Sequence, residues 1–294
     1  MLGSGHFGFI GTGVMGEPMC RNLGQKGGRP VVAFDRDPAP LARLAAHGIR
    51  TGDSVKAVVR GASVVFLSLP SGEAVEALSM EAGGLLETVV AGQIVVDTGT
   101  SQVALTRSLA DRFAARGVTY VDAPVARTRA AAEAGQLSVM VGAEPETFAQ
   151  LEPLFATFAT DITLCGPIGC GQVVKILNNM VLFQTVAALS EACAISERSG
   201  VAPEKLLATL SKGSADSFAL RNHGQKAIVP GVFPERAFSV RYARKDLGYA
   251  MKLADDAGVD AKGARLVDQR FVSAVEAGFG EQYFPVISRI VKGG

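Results

Sequence analysis

The chain has no tryptophan, four tyrosines, three histidines and four cysteines among its 294 residues. Cysteines this sparse (Cys20, Cys165, Cys170 and Cys193) cannot build a disulfide scaffold, and none stands in the C-x-x-C spacing of a zinc or redox site; a reducing cytoplasm is the expected compartment. His6, His47 and His223 lie far apart in sequence and form no H-E-x-x-H, so no zinc ligand pattern is readable and no metal site is expected. Charge of one sign is missing too. With 29 basic against 28 acidic residues, the formal +1 offers no general field to nucleic acid or an anionic membrane. The opening residues lack the basic, apolar and small-residue succession of a signal peptide. The longest apolar helical stretch, Val173 to Ile195, is interrupted by Lys175, Asn178, Asn179, Gln184 and Glu191, and reads as a buried helix rather than a bilayer span.

What the chain does have is apolar material in regular places. At 48% hydrophobic and 19% charged it is far from the composition of disorder, and 294 residues suffice for about two domains. The first half alternates short apolar runs at 7–10, 31–34, 64–67 and 94–96 with capped amphipathic segments. Asp53 is expected to open a helix over 54–60, and Ser101 one over 102–116 that Gly117 stops. Such alternation predicts βαβ units on a doubly wound parallel sheet, extended by strands at 120–121, 137–141 and 162–164. After Gly166-Pro167 the strand signal ceases, and glycine and proline divide the remainder into about five or six helices, the first over 171–199. The expected organisation is an α/β domain over 1–166 joined by a long helix to an all-helical domain over 167–294, whose apolar surface favours a homodimer or homotetramer.

Gly11-Thr12-Gly13-Val14-Met15-Gly16 is G-x-G-x-x-G, set between the first predicted strand and a helix from about Val14 to Leu23. In that setting Gly11 permits the tight turn, Gly13 lets a pyrophosphate approach the backbone, and Gly16 lets helix and sheet pack closely; unpaired helix N–H groups face the phosphates. Asp35, 19 residues past Gly16 at the end of the second strand, is placed to accept hydrogen bonds from the adenosine ribose. The first domain is thus predicted to be Rossmann-like and dinucleotide-binding. Asp35 would repel a 2′-phosphate, whereas Arg36 could stack on adenine or pair with that phosphate, so NAD is the expected cofactor and NADP the alternative. With no zinc pattern, a side chain must handle the proton of a hydride transfer. Lys175 and Asn179, four apart, project from one helix face, where an ammonium and an amide could reach one substrate oxygen. A lysine snorkelling from a buried helix would account for Lys175 without chemistry.

These residues resemble the β-hydroxyacid dehydrogenases, the family of 3-hydroxyisobutyrate dehydrogenase and tartronate semialdehyde reductase. Phe9 to Met19 is similar to the family's opening, and Asp122-Ala123-Pro124-Val125, Gly171 to Asn179 and Lys245-Asp246-Leu247 to its three later motifs, in order over nearly the whole chain. The resemblance implies an NAD(P)-dependent oxidoreductase interconverting a small β-hydroxy acid and its semialdehyde, with the active site in the cleft and oligomer contacts on the helical domain. It implies Lys175 as general acid/base beside Asn179, with burial and the oxidised nicotinamide lowering the lysine pKa. It places Asn178 at the substrate or paired within the helical domain, Lys245 by the nicotinamide, and Asp246 orienting that lysine, contacting substrate or capping a helix. Leu69, Pro70 and Thr100 fall at cofactor-contacting loops, although a strand-end proline and a capping threonine need no function.

One loop departs from the family. Where relatives follow Asp-Ala-Pro-Val with Ser-Gly-Gly, whose hydroxyl and N–H groups hold the substrate carboxylate, this chain has Ala126-Arg127-Thr128-Arg129. A guanidinium fork suits a tetrahedral sulfonate or phosphate, or a second carboxylate. The loop is partly similar to the Gly-Arg-Thr-Ser of sulfolactaldehyde reductases, with Ala126 for the glycine and Arg129 for the serine. Ala126, Arg127 and Thr128 are therefore expected at the substrate headgroup, a salt bridge from Arg127 to Glu133 or to a neighbouring subunit being the structural alternative. Arg241-Tyr242, with Arg244 behind, replaces an Asp-Leu pair and adds positive charge if Arg241 faces the site. Sulfolactaldehyde or tartronate semialdehyde reduction is the alternative reaction. Oxidative decarboxylation as in 6-phosphogluconate dehydrogenase goes with a usually much longer helical domain, and imine reductases generally lack the lysine. Lys175 and Asn179 argue against a cofactor-binding module without turnover.

Overall fold

A computed structural model describes residues 2–235 and 237–293. The chain divides into two compact units, Met1–Lys175 and Ile176–Gly294. The first runs β1 (His6–Ile10), α1 (Gly16–Lys26), β2 (Val31–Phe34), α2 (Pro38–Ala45), β3 (Arg50–Thr51), α3 (Val55–Val59), β4 (Ala62–Leu67), α4 (Gly72–Met80), α5 (Leu85–Thr88), β5 (Ile94–Asp97), α6 (Val103–Ala114), β6 (Thr119–Asp122), β7 (Val125–Ala126), α7 (Arg129–Ala134), β8 (Leu137–Gly142), α8 (Pro145–Phe155) and β9 (Ala159–Gly166). Then α9 (Cys170–Arg198) begins.

The strands form one sheet in the order β3-β2-β1-β4-β5-β6-β8-β7, with β9 also on β8. From β3 to β6 every pair is parallel, as the alternation predicts. The far edge differs, because β8 is antiparallel to both β6 and β7. Only the short α7 separates β7 from β8, and a connection that short suits reversal better than a right-handed crossover. The crossover then resumes through α8 to β9, parallel to β8 and longer than the expected 162–164. The sheet's two faces are dry. Phe9, Phe66, Phe155 and Phe158 pack on one, and Phe113 stacks on Tyr120 at 5.2 Å on the other.

Two helix starts depart from expectation. Ser54, not Asp53, caps α3 by accepting the Ala57 N–H at 3.2 Å. Ser101 does not cap α6, because its hydroxyl donates to Asp97 at 3.0 Å.

The second unit continues α9 and adds α10 (Pro203–Leu210), a π-helix (Leu220–Ile228), α11 (Val240–Asp256), α12 (Lys262–Glu276), a 3-10 turn (Phe284–Val286) and α13 (Ile287–Lys292). With no tryptophan available, its core is phenylalanine: Phe183 meets Phe284 at 5.1 Å, Phe271 at 5.5 Å and Phe238 at 5.7 Å. Inside the π-helix His223 bonds the Tyr283 hydroxyl at 2.5 Å, and burial holds it down at about 4, neutral at physiological pH. By length and composition α9 could cross a membrane, yet 44% of its most apolar window is buried within the fold.

Candidate active site

β1 lies between β2 and β4, so the strand order reverses there and the loops leaving β1 and β4 diverge at the carboxyl edge of the sheet. Gly11 to Gly16 occupies that place. Gly11 has φ +90°, and a Cβ on it would run into the Ser68 carbonyl; one on Gly16 would strike the Gly11 carbonyl. At Gly13 nothing stands within 4 Å of a Cβ, which leaves the backbone open to an approaching group. Met15, the N-cap of α1, makes no side-chain cap bond, so the first-turn N–H groups are not taken up by one. Thr12 is buried, Val14 exposed and Met15 half-buried.

Asp35 follows β2. Its Oδ2 accepts the Thr12 N–H at 2.5 Å and the Thr12 hydroxyl at 3.1 Å, and Oδ1 accepts the Asp37 N–H at 2.9 Å. Of about four lone-pair positions on a carboxylate, roughly one is left for a ribose hydroxyl. Arg36 is exposed, 3.7 Å from Glu81. Leu69 and Pro70 follow β4, half-buried and exposed, and buried Thr100 follows β5. The open backbone at Gly13, the uncapped helix end and the Asp35 acceptor fit a dinucleotide.

Two side chains with no role assigned from sequence fasten the start of α9 to the sheet. Asp122, fully buried at the end of β6, accepts the N–H groups of Gly169 and Gln172 at 2.7 Å each. Burial pushes its carboxyl up to about 6, against the pull of those two donors. Gln172, also fully buried, accepts the Ser101 N–H at 3.0 Å and donates to the Gly99 carbonyl at 2.9 Å, gripping the chain on both sides of Thr100. Lys175 follows one turn later and is 8% exposed. This anchoring accounts for the first turns of α9 clustering with the sheet in the compact unit that ends at Lys175. Both anchors are polar residues next to apolar ones in the motifs 122–125 and 171–179, which was the available signal.

In the second unit, Asn179 is buried one turn beyond Lys175. Its Nδ2 donates to Asp246 Oδ2 on α11 at 2.7 Å, and its Oδ1 accepts from the exposed Asn178 at 3.2 Å. Asp246, expected at the substrate, is 1% exposed: it accepts from Asn179 and pairs with Lys245 at 3.0 Å. The Lys245 ammonium also lies over the rings of Tyr242 at 4.2 Å and Tyr249 at 5.1 Å.

The departing loop is built from its own side chains. Ala126 pairs with Ser138 across β7 and β8, and Thr128 caps α7 by accepting the Ala131 N–H at 3.3 Å. Arg127, expected at the headgroup, donates to the Gln136 carbonyl at 2.8 Å and the Thr160 hydroxyl at 3.0 Å, and pairs with Asp161 at 2.7 Å. Its fork is committed within the fold, and the partner is Asp161, not Glu133, which pairs with Arg129. The added positive charge is neutralised elsewhere too, Arg241 on Glu281 and Arg244 on Asp268. Arg127 has a φ of +88°, a conformation that glycine adopts without steric cost.

Comparison with known proteins agrees with this geometry. Residues 6–166 match the family described as the NAD binding domain of 6-phosphogluconate dehydrogenase, and residues 169–289 that described as NAD-binding of NADP-dependent 3-hydroxyisobutyrate dehydrogenase. Among curated relatives, 2-(hydroxymethyl)glutarate dehydrogenase of Eubacterium barkeri is 33% identical over 96% of this chain and 93% of its own. The 3-hydroxyisobutyrate dehydrogenase of Pseudomonas aeruginosa is 36% identical over 83% of each. The solved structure of Mycobacterium tuberculosis 3-hydroxyisobutyrate dehydrogenase with L-serine superposes with a TM-score of 0.89 at 27% identity, over 98% of this chain and 99% of that one. Fold and relatives define an NAD(P)-dependent oxidoreductase acting on hydroxyl groups. The chain belongs to the β-hydroxyacid dehydrogenase family.

Proposed function

We propose that the protein uses NAD to interconvert a small β-hydroxy acid and its semialdehyde, with Lys175 as general acid/base. The observation that carries this is a buried lysine followed one turn later by a buried asparagine on α9, directly after the glutamine that grips the Thr100 loop. NAD, when bound, supplies the acceptor for the hydride and, reduced, its donor. Lys175 takes the hydroxyl proton as the carbinol becomes a carbonyl, and returns it in reduction. Asp246 fixes the orientation of the Asn179 amide, which in turn orients the reacting oxygen. Gly11, Gly13 and Gly16 admit the pyrophosphate, and Asp35 with neighbouring Asp37 disfavours a 2′-phosphate, which supports NAD over NADP.

The relatives' names support the substrate class. 3-Hydroxyisobutyrate and 2-(hydroxymethyl)glutarate both carry a CH2OH on the carbon beside a carboxylate. The pairing of Arg127 with Asp161 supports a carboxylate over a sulfonate headgroup. A homodimer or homotetramer is supported by the second-unit stretch of α9, where Leu177, Val181, Ala188 and Ile195 are exposed along one stripe. Four free cysteines suit a reducing cytoplasm.

The test is kcat/KM for NADH-linked reduction, with NADPH as control, of matched semialdehydes carrying carboxylate, sulfonate or phosphate. Carboxylate is expected to lead by about tenfold or more, roughly 1.4 kcal/mol of transition-state discrimination. Lys175→Ala should lower kcat at least about 10²-fold while NADH still binds; wild-type turnover in that variant removes Lys175 from the mechanism.

A further inference from the structure

Among the described residues, Arg127 alone of the non-glycines lies at positive φ, +88°. The left-handed region crowds the Cβ of any L-residue, so something must hold Arg127 there. The flanking residues leave it little choice. Ala126 is the last residue paired in β7, and Thr128 is already the N-cap of α7, so one residue turns the chain from strand to helix. The holding force is visible in the side chain: three contacts, to the Gln136 carbonyl, the Thr160 hydroxyl and the Asp161 carboxylate, tie the guanidinium to the segments that begin β8 and β9. Thr160 braces the same carboxylate at 2.8 Å. Hydrogen bonds from the Thr160 hydroxyl and then from Arg127 hold the Asp161 carboxyl below its ordinary range, so the pair persists in mild acid.

We propose that Arg127 is a positioning residue, not a substrate ligand: its guanidinium, anchored on Asp161, locks the turn between β7 and α7 in the left-handed conformation that presents the loop's main chain to the substrate's anionic head. This rests on the reading above that Ala126 to Thr128 faces the substrate. Specificity at the headgroup is then set by backbone geometry, and the long side chain acts from behind it. A glycine adopts the same φ at no steric cost, which separates the two roles of the arginine.

Four variants decide it, compared by kcat/KM on the semialdehyde that the wild type reduces fastest, with NADH fluorescence titration confirming that each binds cofactor. Arg127→Ala, stripped of the anchor yet still disfavoured at positive φ, should lose about tenfold or more, chiefly in KM. Arg127→Gly should rescue most of that loss, to within about threefold of wild type. Asp161→Ala should lose several-fold in the wild-type background and nothing further in Arg127→Gly, since the anchor has then no conformation to hold. Equal losses in Arg127→Ala and Arg127→Gly would mean that the guanidinium itself meets the substrate, and wild-type kinetics in Arg127→Ala that the turn needs no lock; either overturns the proposal. A crystal structure of Arg127→Ala reads the lock without catalysis: φ at 127 leaves the positive region if the proposal holds, and stays if it does not. That readout survives even if no semialdehyde is turned over, which would defeat the substrate reading alone.

Discussion

The loops after β1 and β7 use their side chains in opposite ways. After β1 the glycine positions present main chain: Gly13 faces open space, Gly11 and Gly16 are packed against backbone, and the end of α1 is uncapped. After β7 the two polar side chains are engaged by the protein itself, Arg127 on Asp161 and Thr128 on the start of α7. A loop whose chemistry is its main chain can be recognised from spacing, because glycine at fixed offsets has few other uses. A loop with long polar side chains cannot, because its meaning depends on partners that arrive from elsewhere in the fold.

The sharpest way to break this contrast is to put a side chain where the first loop has none. Gly13→Val should leave folding unchanged, since no protein atom stands near its Cβ position, yet weaken NADH binding by about 10²-fold or more through loss of hydrogen bonds to a charged group worth roughly 1.5–3 kcal/mol each. Gly16→Val should instead destabilise the protein as well, because its Cβ would meet the Gly11 carbonyl. Thermal midpoints by circular dichroism and NADH titration read the two effects apart. Wild-type affinity in a folded Gly13→Val protein would mean that the open space at this turn is not where the cofactor sits.

Asp122 sharpens the contrast from the other end, since it starts the motif that leads into the second loop but serves the interior. Its carboxyl moves from an ordinary 3.8 to about 6. Between those values the folded protein holds a proton that the unfolded chain has released, so this group's contribution to stability is present below about pH 4 and is lost as pH rises through 6. The span corresponds to about 3 kcal/mol. Asp122→Asn should flatten the dependence by that order; urea midpoints at several pH values, followed by circular dichroism because the chain lacks tryptophan, measure it. An unaltered pH slope in the variant would mean that Asp122 is solvated enough to titrate normally.

The same contrast says which parts of the molecule were legible in the sequence. The parallel half of the sheet, the glycine turn, Asp35 and the switch to helices past Gly166 follow from periodicity and offsets that act within about 20 residues of chain. The reversal of β8 was not legible, because the apolar pattern of a strand carries no direction. Asp161 stands 34 residues beyond Arg127, and the Asp122 carboxylate reaches donors at 169 and 172, so neither contact leaves a local trace. Likewise the contact of Asp246 with Asn179 spans 67 residues of chain and is invisible beside Lys245 in the sequence.

The smallest effect tests the rule where it is most exposed. Arg241, close before Lys245, reads from sequence as added charge for an anionic substrate. In the fold it pairs at 2.9 Å with Glu281, both side chains more than 60% exposed. An ion pair so wet contributes about 0–1 kcal/mol, and its charge is compensated before any substrate arrives. Arg241→Ala should therefore leave KM within about twofold and the thermal midpoint nearly unmoved. A KM that rises tenfold for a dicarboxylate and not for a monocarboxylate would place this guanidinium at the substrate. The meaning of Arg241 would then have been readable without its partner.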